Sequence, residues 1–261
     1  MKIAISGKGG VGKSTVAAAL CLYLARRGAR VLALDSDPDA NLASALGISA
    51  AEQQKIKPIS QQIDLIESRT GAKISGYGQV FKLNPDVSDV AGEYAYDKDG
   101  VRLIVMGAVS AGGGGCACPE NTFARALVTD LVLHKDDALV MDMEAGVEHL
   151  GRATARGVDV LVIVSEPGQR AIDCARKIIE LSREIGIKRH SLIANKVTCP
   201  EDERFIASSL LECEWIGTIP YSEAFRKADR DGVSAMDAID GDAQLTACFE
   251  QIFARMVNID K

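Results

Sequence analysis

Eight residues near the start of the chain, Gly7-Lys8-Gly9-Gly10-Val11-Gly12-Lys13-Ser14, fit the pattern G-x-x-x-x-G-K-[ST]. An apolar, β-rich run (residues 3–6) leads into them and a helical pattern (13–27) leads out, the context that the pattern requires. Glycines let successive backbone N–H groups turn inward on phosphate oxygens, and the N-terminus of the following helix adds its partial positive charge. Lys13 reaches the β- and γ-phosphates, and the Ser14 hydroxyl can ligate Mg²⁺. Strand, phosphate turn and helix in that order commit the chain to an α/β fold and imply a nucleoside triphosphate with Mg²⁺. The alternative, a glycine-rich turn with no ligand, has eight matching positions against it.

The rest of the chain continues the alternation. Apolar runs fall at residues 30–35, 101–106, 138–143, 158–164, 191–194 and 215–219, with helical patterns at 119–134, 169–185 and 201–211. Continuous rather than alternating apolar strands between helices predict a doubly wound, mainly parallel sheet with helices on both faces. At 261 residues the expectation is one P-loop ATPase domain spanning residues 1–261, with an irregular insertion at about 58–100 where no period holds. The insertion's aromatics, Tyr77, Phe81, Tyr94 and Tyr96, read as local core. Residues 243–257 set Leu245, Cys248, Phe249, Ile252, Phe253 and Met256 on one helical stripe. Without a lysine cluster opposite, that stripe reads as docked core rather than a lipid anchor. The formal net charge of −6 gives no support to a nucleic-acid coat or a basic membrane patch. The N-terminus carries no secretory pattern and the longest apolar run, 16–25, is too short to span a bilayer. A cytoplasmic protein without nucleic-acid or membrane partners is expected, and seven cysteines then read as thiols or ligands rather than a disulfide framework.

Two acidic segments follow strands, at the edge where open α/β sheets place ligands. Asp35-Ser36-Asp37-Pro38-Asp39 ends the second strand, and Val140-Met141-Asp142-Met143-Glu144-Ala145-Gly146 has the Walker B form, with Asp142 aimed at Mg²⁺. An Asp/Pro-rich turn that merely caps the next helix is the alternative for the first. Asn195-Lys196 ends a later strand, Pro220 supplies apolar wall, and the absence of N-K-x-D after the strand favours ATP over GTP.

Lys8–Thr15, KGGVGKST, resembles the deviant Walker A of the MinD/ParA/nitrogenase-iron-protein superfamily. The resemblance implies hydrolysis of ATP to ADP and phosphate within a dimer that closes around two nucleotides. Lys8 would cross the two-fold interface to the partner's nucleotide, and Lys8 and Lys13 would stabilise charge there. Asp37 would orient the attacking water and support Mg²⁺ with Ser14 and Asp142, and Asp35 would back it. Gly9, Gly10, Val11, Gly12, Lys13, Ser14 and Thr15 would cradle the phosphates, Asn195 would read adenine beside Lys196 and Pro220, and Gly146 would sense the γ-phosphate.

Gly112-Gly113-Gly114-Gly115-Cys116-Ala117-Cys118-Pro119-Glu120-Asn121 is the chain's most individual stretch. Four glycines cost entropy to order, and both thiols stand before a helix whose positive end favours thiolate. Two cysteines one residue apart fill half of a tetrahedral sulfur site, so a two-fold mate would complete a four-cysteine site bridging the dimer. Inert thiols and a redox dithiol are the alternatives. Cys21, Cys174, Cys213 and Cys248 read as small buried hydrophobes, and Cys199 stays undecided. GCACPEN (115–121), DMEAGVEHLG (142–151) and FKLNP (81–85) together are similar to the CooC-type accessory ATPases. That likeness implies a homodimer assisting nickel insertion into carbon monoxide dehydrogenase as client metalloenzyme. The thiolates suit Ni²⁺ or Zn²⁺; His149 reads as a structural histidine ahead of a further ligand. A ParA/MinD-like partitioning ATPase would want a basic face or a terminal membrane helix. A nitrogenase-iron-protein-like iron–sulfur reductase would want a cysteine near Asp142, and none follows until Cys174.

Overall fold

The computed structural model describes residues 1–37, 39–74, 78–108, 118–134, 138–146, 150 and 152–257. Its strands are β1 (Lys2–Ser6), β2 (Val31–Asp35), β3 (Tyr96–Lys98), β4 (Val101–Val105), β5 (Ala138–Asp142), β6 (Val160–Ser165), β7 (His190–Val197) and β8 (Glu214–Pro220). They form an eight-stranded sheet in the order β3-β4-β2-β5-β1-β6-β7-β8, parallel throughout except where β3 meets β4. The longer helices are α1 (Lys13–Arg26), α4 (Ile63–Thr70), α6 (Pro119–His134), α8 (Gln169–Ile185), α9 (Pro200–Ser209), α10 (Glu223–Asp231) and α12 (Ala243–Val257). Short ones are α2 (Leu42–Ala45), α3 (Ala50–Gln53), α5 (Val90–Tyr94), α7 (Arg152–Ala155) and α11 (Ala235–Asp240).

Side-chain alternation divides the strands between two cores. Ile3 and Ile5 of β1, Val31 and Ala33 of β2, and Val160 and Val162 of β6 face the core with α1, α11 and α12. Ala4, Leu32, Leu34, Leu161 and Ile163 face the opposite one, with α4, α6, α8 and α9. The central strands β1, β2, β5 and β6 are apolar on both sides because helices cover both sides, which is why those runs carry no polar alternation. The doubly wound, mainly parallel architecture is therefore the one the strand pattern predicts.

The region 58–100 holds a 3₁₀ turn (Ile59–Gln61), α4, α5 and β3. Tyr96–Lys98 returns antiparallel on β4 through Asp99 and Gly100, both left-handed at φ 50° and 81°, the signature of a two-residue hairpin turn whose twist matches the strands. Tyr94 and Tyr96 pack partly buried against the two cores, Phe81 is half-buried, and Tyr77 lies outside the described residues. The last helix buries Leu245, Phe249, Ile252, Phe253 and Met256 against β8, where the Cys248 thiol donates to the Thr218 carbonyl at 2.6 Å. Among the described residues no helix is long and apolar enough to cross a membrane.

Candidate functional site

The phosphate loop joins the central strand β1 to α1. Gly10 and Gly12 take left-handed φ of 80° and 98°, where a side chain is strained. A Cβ on Gly12 would also stand 2.3 Å from Asn195 Nδ2, so this position excludes other residues twice over. At Gly9 and Gly10 no described residue stands within 4 Å of such a Cβ. The loop is braced from β7: Asn195 Nδ2 donates to the Val11 carbonyl at 2.7 Å, Lys196 N donates to Asn195 Oδ1 at 2.8 Å, and Lys196 Nζ donates to the Gly10 carbonyl at 2.6 Å.

A cleft of about 450 Å³ opens over the loop, lined by Gly9, Gly10, Gly12, Lys13, Ser14, Thr15, Asp37 and Lys196. Its far wall is Phe225, Ala228 and Asp229 of α10 with Ala235 of α11, residues to which sequence reasoning gave no role. A serine three residues before an aspartate, Ser234 and Asp237, forms a capping box at the start of α11 and was the available signal. Of the residues expected at the nucleotide, Val11 is buried behind the loop. Asn195 and Pro220 do not line this cleft among the described residues, Asn195 being engaged with the loop itself.

The acidic segments meet because their strands are neighbours in register: Asp35 pairs with Asp142 across β2 and β5, and Ser36 N donates to the Asp142 carbonyl at 2.9 Å. Lys13, only 6% exposed, places Nζ 3.6 Å from Asp37 Oδ2. Asp35 is fully buried but accepts from the backbone N–H of Asp37 at 3.2 Å and of Leu42 at 3.0 Å. Burial raises its carboxyl to about 6 in spite of those bonds. Asp142 is also fully buried, and among the described residues neither of its oxygens has a hydrogen-bond partner. Burial pushes it up to about 7, with the Ser14 hydroxyl, close but short of hydrogen-bond geometry, and Lys13 pulling the other way against Asp35 and Asp37.

A buried carboxylate without a partner is costly unless a cation or a proton supplies one. Ser14 lines the cleft, and Asp142, fully buried and not among its lining residues, stands beside that hydroxyl. A carboxylate and a hydroxyl are the hard oxygen donors that Mg²⁺ takes, its remaining positions going to water and phosphate. Asp142 and Ser14 therefore fit the ion. Among the described residues no three His, Cys, Asp or Glu side chains are grouped to hold a metal by themselves.

Cys116 lies outside the described residues, as do His149 and the four glycines at 112–115. Cys118 is half-buried at the start of α6, where its sulfur accepts from Asn121 N at 3.5 Å and its carbonyl from Thr122 N at 3.0 Å; the residue caps the helix. Burial raises the thiols of Cys21 and Cys174, takes Cys213 to about 12 and Cys248 to about 11. Of the four expected as small buried hydrophobes, Cys21 is fully buried, whereas Cys174, Cys213 and Cys248 are only half-buried. Cys199 precedes Pro200 as the N-cap residue of α9.

The profile of the CobQ/CobB/MinD/ParA nucleotide binding domain matches residues 2–235. The carbon monoxide dehydrogenase accessory protein CooC of Rhodospirillum rubrum is 44% identical over 237 residues, 91% of this chain and 90% of that protein. An uncharacterised ATP-binding protein of Methanocaldococcus jannaschii is 38% identical over 261 residues, 99% of this chain and 98% of its own. The structure superposes on the MinD cell division protein of Aquifex aeolicus with a TM-score of 0.68, over 99% of this chain and 98% of that one. At 19% identity the likeness speaks for the fold alone.

Proposed function

The chain belongs to the CobQ/CobB/MinD/ParA nucleotide-binding family and within it to the CooC-type proteins, and on that footing we propose that it hydrolyses ATP to drive metal insertion into a client enzyme. One observation carries the reaction: the orphaned Asp142 carboxylate beside Ser14, under a cleft floored by the phosphate loop. When bound there, Mg²⁺ would neutralise charge on the β- and γ-phosphates. Lys13 would exchange Asp37 for phosphate oxygens, leaving the Asp37 carboxylate free to orient water for attack at the γ-phosphorus. Asp35, tied to two backbone N–H groups, would hold the Asp37 turn in place. Lys8 would add its charge from the partner subunit, so turnover would need a homodimer.

What the hydrolysis serves is read from the 44% identical relative named as an accessory of carbon monoxide dehydrogenase. The proposed cargo is Ni²⁺, or Zn²⁺ in its place, at a four-thiolate site built from Cys116 and Cys118 of two chains, with carbon monoxide dehydrogenase as client. Cys118 heads α6, where its sulfur accepts from Asn121 N, next to the glycine-rich stretch that holds Cys116 in the sequence. The chain would act as one P-loop ATPase domain in the cytoplasm.

The test is metal content against oligomeric state in untagged protein. One ion per two chains is expected, with affinity falling as pH drops through the thiolate range because protons compete for sulfur. Cys118→Ser should lose the ion as completely as the double Cys116/Cys118 variant, since two-fold symmetry removes two ligands at once. One ion held tightly by a monomer would refute the bridged site.

A further inference from the structure

Glu166 stands one residue beyond β6, outside every motif that the nucleotide reading uses. Its carboxylate serves two ammonium groups at once: Oε1 lies 3.5 Å from Lys8 Nζ, and Oε2 lies 3.0 Å from Lys196 Nζ. Lys196 in turn donates to the Gly10 carbonyl at 2.6 Å. Its own backbone is left-handed at φ 57°, a conformation that a lysine keeps only when its bonds hold it there. A continuous chain of contacts, Lys8 to Glu166 to Lys196 to Gly10, thus runs along the rim of the phosphate loop.

We propose that Glu166 is a positioning residue that keeps Lys8 on its own subunit until a partner's nucleotide displaces the carboxylate. The inference rests on the reading that Lys8 acts across the dimer. Glu166 is the only anion paired with Lys8 among the described residues. A triphosphate carries more charge than a carboxylate and wins the ammonium when dimer closure presents it; without one, Glu166 retains it. The two oxygens divide the labour. Oε1 can release Lys8 while Oε2 still holds Lys196, so the brace on Gly10 survives the exchange. The magnitude is modest, because the Lys8 and Glu166 side chains are 39% and 25% exposed and pairs of that kind contribute little. Glu166 would set a threshold for dimer closure rather than a block.

The experiment is sedimentation equilibrium of the full chain with Mg²⁺ and a non-hydrolysable ATP analogue. Glu166→Gln removes the charge but keeps an acceptor for Lys196. Its dimer dissociation constant should fall by roughly two- to five-fold, the range of a half-exposed ion pair. Affinity for a fluorescent ADP analogue should stay within about two-fold, which also reports that the variant is folded. In a Lys8→Ala background Glu166→Gln should change nothing. Lys196→Met should weaken ADP binding without tightening the dimer. An unchanged or weaker dimer in Glu166→Gln, or the same tightening without Lys8, overturns the proposal. Wild-type dimerisation in Lys8→Ala alone would instead remove the trans-acting lysine on which the proposal stands, a separate and recognisable failure.

Discussion

Consider Asp142→Asn in protein freed of nucleotide and divalent metal. In the wild-type chain this carboxylate is fully buried, has no hydrogen-bond partner for either oxygen among the described residues, and is pushed up to about 7 because burial disfavours its charge. In the unfolded chain the same group titrates near 3.8. The folded state therefore holds its proton more tightly than the unfolded state does. Stability from this group is greatest below about pH 4, declines as the pH rises towards about 7, and stays low above that. A gap of about three pH units corresponds to about 4 kcal/mol at ~1.36 kcal/mol per unit. Water on the cleft side, adjustment of neighbouring Asp35, and the asparagine amide's own need for partners reduce the observable gain to ~1–3 kcal/mol. At about 2–4 °C per kcal/mol for a chain of this size, the variant should melt roughly 3–10 °C above wild type at pH 8 in EDTA. The difference should close as the pH falls towards 4. Saturating Mg·ADP should reverse the ranking, because only the wild-type carboxylate gains a cation. Thermal melts from pH 4 to 8, in EDTA and in Mg·ADP, read all three effects. A variant that melts below wild type at pH 8 in EDTA, or a gap that ignores pH, would refute the orphaned-carboxylate argument.

Asp37→Ala should keep nucleotide binding, since the cradle is backbone, yet lose at least ~10²-fold in turnover; wild-type turnover would remove Asp37 from the water-orienting role. Lys13→Ala should abolish tight ATP binding, whereas Lys8→Ala should bind ATP and fail to hydrolyse it. Equal losses of affinity in an equilibrium titration would place both lysines in one subunit's cradle.

Strand positions were legible because burial on both faces left each central strand an unbroken apolar run, and the runs at 30–35, 101–106 and 138–143 became β2, β4 and β5 within a residue or two. The phosphate loop was legible because Gly12 answers a double demand, a positive φ and a neighbour at Cβ distance, that no other residue meets. The β3 hairpin was missed although Asp99-Gly100 announces a two-residue turn, since a three-residue edge strand has too few positions to show a period. Helices α10 and α11 were missed for a similar reason: each is short and amphipathic, and α10 buries only Ala228. Asn195 shows the limit of motif reasoning. Its place at a strand end was right, but its amide is engaged with Val11 and its carbonyl with Lys196, a bracing geometry that depends on how β7 sits against the loop.

Sheet topology also bears on how the proposed nucleotide site and the segment that precedes Cys118 are connected. Asp35 is hydrogen-bonded through its backbone on one side of β2 to the strand that precedes the cysteine segment, Met106 N donating to its carbonyl at 2.8 Å. On the other side Ser36 N reaches the Asp142 carbonyl at 2.9 Å. The Ser6 hydroxyl meanwhile donates to the Glu144 carbonyl at 2.8 Å, fastening the segment after Asp142 to the strand that carries the phosphate loop. The chain leaves β4 at this same edge, and its next described element is α6, with Cys118 at its head. The phosphate loop, Asp142 and the exit of β4 thus hang from adjacent strand ends, with backbone hydrogen bonds from Ser36 to Asp142 and from Met106 to Asp35 between them. If ATP acts on the cysteines as proposed, the coupling would start from this shared edge, where Asp35, Asp142 and the strand that precedes the cysteine segment are neighbours.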